Sequence, residues 1–500
     1  MVVKTLNEKQ RYWEGRLGAV LSPIPINDLL VMSWAIEAFR NGREALALTH
    51  ASIPGELEDH KIGGRYFIPP WNIDAVINER LVLGIAPNPG GRHLNLKSWG
   101  AITKLLNTYS GLANVESVKD FDGNEIIAAM PRLFWPQYDW QLGFENSFRI
   151  GRAWHVYVTP AGKKAFAKKH SIDLELFLKV TFAIYALTEK NPAARASSLE
   201  AVEATKAEVF QIRKIIGETV NGHVTFAQSI RNSNIPRDFK RSVVKERPLF
   251  EIDDRQGRIF LVPSREQLLL RITDGLYYDI VQDSNARRVS GDYFEDLCFQ
   301  LIKHYYGTSS DVDREKDTSY GKSADLFVMD KASDLGIVVE CKIRRIPQRI
   351  LTSPDPWRDC EADFDDLIKG VVQIWRTNSE LFSTSDRSLV GVVLLYDPWT
   401  MMGNSFLEEI FLRAGREADD LSVPECERIP VTFAGLADFE TCLREYSVPD
   451  IHKAVCRSND YDFHGHLLSG ILSSIAEKGR SKARFDYGAL AKSAVSWWGK

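Results

Sequence analysis

Apolar positions recur at helical spacing over residues 29–48, with Trp34, Ile36, Phe39 and Ala45 among them, and again over 98–109; the spacing predicts a helix in each. Pro69-Pro70, Pro87, Pro89 and Gly90-Gly91 mark irregular connections between the two. Residues 174–187 are apolar on most faces, which predicts a buried helix stopped by Asn191-Pro192. Ser197-Ser-Leu-Glu200 reads as a capping box opening an amphipathic helix to about Ile216, with Val202, Val209, Ile212 and Ile216 on its stripe. A turn at Gly257, a short strand over 259–262 and a helix from Ser264 follow, and the polar run 282–288 reads as a domain boundary.

Beyond residue 290 the pattern changes to short unbroken apolar runs between helices. A helix over 291–306 precedes strands over 312–316, 325–329 and 337–342. A helix over 363–382 and a buried strand over 388–396 come next, then a helix over 405–418 and a strand over 429–433. That order predicts an α/β domain, a mixed sheet flanked by helices, behind an N-terminal half that is α-rich or α+β. The expected division is an N-terminal recognition or regulatory domain over 1–193, a helical, basic connecting region over 194–285, the α/β domain over 286–450 and a helical extension over 451–500. The aromatic segment 134–154, with Phe134, Trp135, Tyr138, Trp140, Phe144, Phe148 and Trp154, reads as core.

Composition narrows the classes. With 500 residues, 44% hydrophobic and 26% charged, the chain is of the ordinary globular kind and long enough for several cores. A formal net charge of -4 exerts no global pull on nucleic acid, so a DNA partner needs a local basic patch. Six cysteines without a Cys-x-x-Cys pair argue against a zinc ribbon or a disulfide framework. No apolar leader opens the sequence and no run reaches bilayer length, so the expectation is a cytoplasmic protein without a membrane partner. No phosphate-cradling Gly-rich loop with Lys-Ser/Thr is present, which argues against an NTP-driven motor in this chain.

The chemistry concentrates where the run from Leu335 ends in Glu340-Cys341-Lys342. Alternate strand residues share a face, so Glu340 and Lys342 project together and Cys341 points the other way, as a packing residue. Asp325 opens the preceding strand, fifteen residues before Glu340. Two carboxylates and a lysine at the ends of adjacent strands are what metal-assisted phosphodiester hydrolysis requires: hard oxygen ligands for Mg²⁺ or Mn²⁺ and a cation beside the reacting phosphate. Arg344, Arg345 and Arg349 follow directly and form the best candidate for phosphate contacts; Arg376, on the next helix, joins the DNA-binding set.

This ordered set of a helix, an Asp-bearing strand, a Glu-x-Lys strand, a helix and a further strand is similar to the core of the PD-(D/E)xK nuclease superfamily. That superfamily includes type II and Mrr-like restriction endonucleases, RecB-type nucleases and archaeal Holliday-junction resolvases. The resemblance covers roughly residues 286–445 and departs from the family name at Ala324, where that name has proline. It implies a restriction endonuclease-like fold. It also implies metal binding by Asp325, Glu340 and the backbone carbonyl of Cys341, a second-shell or second-metal role for Glu295, and a Gln373 that reaches the site or the DNA backbone. The implied function is a Mg²⁺-dependent endonuclease on double-stranded DNA, in bacterial restriction or anti-phage defence, working as a homodimer or under a partner protein or phage-derived trigger. Two other readings stay open: a nuclease-like binding or assembly module, and a repair nuclease for branched DNA.

Overall fold

The computed structural model describes residues 5–54, 68–84, 94–119, 146–195, 197–199, 204–231, 240–254, 257–345, 347, 350, 356–397, 404–479 and 481–491. Helices α1 (Leu6–Leu21), α2 (Ile26–Arg40), α3 (Pro70–Val82) and α4 (Trp99–Lys119) form the first block. The helix expected over 29–48 stops at Arg40. Gly42 takes φ 71°, its amide reaches back to the Phe39 carbonyl and the Arg43 amide to that of Ala38, a left-handed C-terminal stop that uses up the last carbonyls. Of the residues expected to form the aromatic core segment, Phe134 to Phe144 lie outside the described residues, as do Pro87, Pro89 and Gly90-Gly91.

Helices α5 (Asn146–Tyr157), α6 (Pro160–His170) and α7 (Leu174–Leu187) follow, the last with the bounds its apolar run predicts. The region expected to be helical over 194–285 also carries a sheet. Strands β1 (Ala193–Arg195), β2 (Gly217–Thr219), β3 (Leu249–Asp254) and β4 (Gly257–Leu261) stand in the order β1-β4-β3-β2, with α8 (Lys206–Ile216) between β1 and β2 and α9 (Val220–Arg231) after β2. The capping box of α8 is made by Thr205 and Glu208, where the same Ser/Thr-x-x-Glu pattern recurs directly before the stripe Ile212 and Ile216; Glu200 of the box expected at Ser197 lies outside the described residues. Adjacent residues of this sheet serve different cores. Phe250 and Leu261 pack with the first block, whereas Leu249 and Phe260 pack into the central core on the other face.

After α10 (Arg265–Ile272) and α11 (Leu276–Ile280), helix α12 runs over Ser284–Tyr306. It runs through the polar stretch read as a boundary: Asp283 caps it by accepting from the amides of Asn285 and Ala286, and the polar residues are its first, largely exposed turns.

The second sheet contains β5 (Ser310–Arg314), β6 (Leu326–Asp330), β7 (Leu335–Lys342), β8 (Ser388–Leu395) and β9 (Val431–Gly435), in the order β9-β8-β7-β6-β5. β5, β6 and β7 run antiparallel and β7, β8 and β9 parallel, so the sheet is mixed. Helices α13 (Asp365–Phe382) and α14 (Asn404–Asp420) cover one face, packing on Phe327, Val338, Leu389 and Val393. The alternate residues, Leu326, Val328, Ile337, Val339 and Cys341, face α12 together with α15 (Leu436–Glu445), α16 (Val448–Arg457) and α17 (Leu468–Ile475). Parallel pairs buried on both faces need the near-continuous aliphatic runs that β7 and β8 carry.

The cores cross the boundaries expected at 193, 285 and 450. Helices α5–α7, β6–β8, α15–α17 and Tyr487 all bury side chains in the same central core, whereas α1–α4 form a core of their own with Val243, Val244 and the far face of the first sheet. Among the described residues no single helix is long and apolar enough to cross a membrane.

Candidate active site

The register of β6 on β7 sets Leu326 opposite Val339. Continued by one residue, it sets Asp325 opposite Glu340, the close cross-strand placement of an antiparallel pair. Strand alternation then puts Asp325, Glu340 and Lys342 on the α13 face of the sheet, with Val338 and Phe327 below them. Both carboxylates are buried, while the Lys342 side chain keeps 23% of its exposure, so the cluster opens to solvent at the lysine.

The hydrogen bonds fit this arrangement. Asp325 Oδ2 accepts from the Cys341 amide at 2.6 Å, and Glu340 Oε1 accepts from Lys342 Nζ at 2.5 Å. Among the described residues, Glu340 Oε2 is buried with no hydrogen-bond partner. The Cys341 side chain packs in the central core near Cys298, the packing role expected of it. Its peptide group lies beside Asp325. In an antiparallel ladder the N–H and C=O of one residue address the same neighbour, so the carbonyl that the resemblance assigns to a metal opens toward Asp325 as well.

The electrostatics report crowding of negative charge. Burial pushes Glu340 up to about 8, and the charges of Asp325 and Glu295 add to it against the pull of Lys342. Burial likewise raises Asp325 to about 6, opposed by the Cys341 amide and Lys342. Glu295, on α12, is raised to about 8 by burial and by Asp325, Asp292 and Glu315, which places it within electrostatic reach of the pair. Burial lowers Lys342, but Glu340, Asp325 and Asp366 outweigh it and hold the ammonium above its ordinary range. Adding a divalent cation to such a cluster relieves repulsion that the fold alone leaves uncompensated.

Helix α13 positions the acids through the backbone. Gln373 Nε2 donates to the Ser323 carbonyl at 2.9 Å, and one turn later Thr377 Oγ1 accepts from the Ala324 amide at 2.8 Å. Gln373 therefore does not reach the reacting region as the resemblance implied: its amide is spent on the peptide that leads into Asp325, because the loop passes directly over its turn of the helix. Gly370, one turn earlier, lets the helix approach β8 closely beside the lysine, since a Cβ there would stand 3.2 Å from Val393 and in ordinary contact, 3.5 Å, with Lys342 Cε.

The arginines expected to meet phosphate are used differently. Arg345 is ion-paired with Asp397 and donates to the Asp274 carbonyl at 2.7 Å; burial and these partners commit its charge to the fold. Arg344 pairs with Asp366 and, at 3.1 Å, with the buried Asp363. The two positions follow β7 directly, and there the chain meets acids and a carbonyl brought from α11, α13 and the end of β8. Arg349 lies outside the described residues. Arg376 lies over the exposed ring of Tyr320, 4.3 Å from its centroid.

Three residues of the cluster escaped the sequence reading. Thr377 shares the helical face of Gln373 four residues on, a spacing that could have revealed it. Glu315 and Gly370 carried no such signal, since only the folded chain brings them to the acids. Among the described residues, no group of three or more His, Cys, Asp and Glu side chains converges to hold a metal ion. The donors that are present still fit a hard divalent cation. Mg²⁺ takes one or two carboxylates and completes its octahedron with water and substrate oxygens, and the orphaned Glu340 Oε2 is an oxygen in search of a partner.

No protein-family model matches the chain, and no match was found among the curated proteins or the solved structures.

Proposed function

We propose that the chain is a divalent-metal-dependent phosphodiester hydrolase acting on DNA, with a restriction endonuclease-like core. The observation that carries the reading is the pairing of Asp325 with Glu340 across β6 and β7, with Lys342 beside them and one buried carboxylate oxygen left without a partner among the described residues. A cation held by Asp325 and Glu340 would supply Lewis-acid polarisation of the scissile phosphate and acidify a water molecule.

The chain's own residues do the rest. Lys342, kept charged by its carboxylate neighbours, offsets negative charge on the phosphate oxygens and orients the attacking water. Glu295, on α12, adds a third carboxylate within electrostatic reach, and Gln373 with Thr377 hold the Asp325 loop against α13 so that the acid stays in register with Glu340. The large N-terminal half joined to such a core fits restriction or anti-phage defence, a role that rests on architecture alone.

One specific observation favours a second reading, a nucleic-acid-binding or assembly module: fewer than three ligating side chains converge among the described residues. The test is incubation of the full chain with plasmid and linear DNA in Mg²⁺, Mn²⁺ or EDTA, beside Asp325→Ala and Lys342→Ala. The expected result is metal-dependent cutting that both substitutions abolish. DNA binding without cutting, identical in wild type and variants, sinks the hydrolase and leaves the module.

A further inference from the structure

Immediately before Asp325 the chain forms a small hairpin, with Asp317 paired to Lys322 and Thr318 to Gly321. Its stem is closed by the Ser323 amide on the Lys316 carbonyl at 2.9 Å and by the Lys316 amide on Ser323 Oγ at 2.8 Å. Gly321 takes φ 112°, a backbone conformation open to glycine, which turns the tip back sharply. The tip is tied to α13 at two points: the Ser319 amide donates to the Glu380 carboxylate, and Arg376 lies over the Tyr320 ring. The same helix, through Gln373 and Thr377, grips the peptides leading into Asp325. Hairpin tip and catalytic acid are thus held by one rigid element.

Tyr320 is 62% exposed, the highest value among the large hydrophobic and aromatic side chains described. An exposed tyrosine on a turn is by itself ordinary. Here the guanidinium of Arg376 covers one face of the ring, so the exposure belongs to the other face and the edge. A ring already held in place loses little freedom when something stacks on it, and a cation beneath it adds positive charge suited to a phosphate backbone. Nucleobases stack on such platforms without regard to sequence. Within a continuous duplex both faces of each base are covered by its neighbours, and only an unpaired or terminal base offers a free one.

We propose that Tyr320, backed by Arg376, is a stacking platform for an unpaired nucleobase of the strand to be cut. The site then takes nucleic acid with unpaired bases near the scissile bond, such as ends, flaps, gaps or single strands, in preference to uninterrupted duplex. This rests on the hydrolase reading above and departs from the expectation of plain double-stranded DNA.

The test uses the full chain in EDTA, titrated with oligonucleotides carrying 2-aminopurine in single-stranded, flapped and fully paired form. Stacking on Tyr320 is expected to quench the probe in the unpaired forms, which bind more tightly than the duplex. Tyr320→Ala should weaken their binding by roughly five- to 150-fold, the range set by base–aromatic stacking. Tyr320→Phe should retain it, and Arg376→Gln should weaken it less than Tyr320→Ala. The platform is overturned if Tyr320→Ala binds the unpaired forms as wild type does, or if duplex binds equally well. Cutting in Mg²⁺ is read separately: its absence alongside Tyr320-dependent binding removes the hydrolase and supports the platform.

Discussion

Asp274, between α10 and α11, is the most revealing residue to perturb, because it ties the helices before the first sheet to the end of β7. It is buried and ion-paired with Arg149 and Arg152 of α5, while its carbonyl accepts from Arg345, three residues after Lys342. Arg152 also lies over the Tyr396 ring, 4.1 Å from its centroid, and donates to the Tyr396 carbonyl at 3.3 Å. The Tyr396 amide in turn donates to the Lys342 carbonyl at 3.1 Å. Burial alone would raise the Asp274 carboxyl; Arg152 and Arg149 outweigh it and hold the group well below the usual carboxylate range.

Asp274→Asn keeps the shape, removes the charge and turns an amide toward one of two buried guanidiniums. Two charge-assisted hydrogen bonds at about 1.5–3 kcal/mol each, or one broken buried ion pair at about 3–5 kcal/mol, give the same expectation, a loss of roughly 3–5 kcal/mol. Urea denaturation at pH 7, followed by tryptophan fluorescence, measures it as a fall in midpoint at unchanged slope. Adding Arg149→Met should recover part of the loss, since one stranded cation then disappears. A loss below about 1 kcal/mol, the size of a surface pair, would refute the reasoning, because the network would then be solvated or replaceable.

The other expectations are more local. Glu266 lies buried against Glu37, and burial together with that neighbouring charge raises it from 4.5 to about 8. The native state therefore holds this proton more tightly than the unfolded chain, and the stability it contributes is full below about pH 4.5 and is lost as pH rises through about 8. Glu266→Gln should match wild type at pH 5 and exceed it by roughly 2 kcal/mol at pH 9, about half the ceiling set by the shift because Glu37 shares it; thermal melts across that range read the difference, and a gap independent of pH counts against it. Gln373→Ala and Thr377→Val should each lower kcat roughly tenfold with little change in KM and raise the Mg²⁺ needed for half-maximal rate, with Thr377→Ser restoring the hydroxyl and the rate. If either variant loses activity only in proportion to folded protein, the clamp on Asp325 has no positioning role.

The central strands of the second sheet were legible because β6, β7 and β8 are aliphatic runs with polar ends, whereas β5 holds a single aliphatic residue, Val312, and lies two residues before its expected place. Glu340 and Lys342 could be placed on one face by alternation alone, and the register then set Asp325 opposite them. Gln373 was expected to reach the site or the DNA backbone and instead donates to the Ser323 carbonyl, since a sequence shows which face of a helix a residue occupies and not which peptide passes over it. Arg344 and Arg345 misled for the same reason. A run of cations after a strand looks like a phosphate-binding surface until Asp363, Asp366, Asp397 and Asp274 arrive from elsewhere in the chain.

Local pattern by itself determined most helices and the central strands of the second sheet, together with the chemical identity of the acid pair, because periodicity and side-chain chemistry act within a few residues. Only the tertiary structure decided that α5–α7 share a core with the second sheet, that a buried network reaches Lys342 through Arg345 and Tyr396, and that Tyr320 rests against the helix that holds Asp325. Those contacts join residues far apart in sequence. Their energies depend on burial and on the partner each charge meets, and neither is written in the order of the residues.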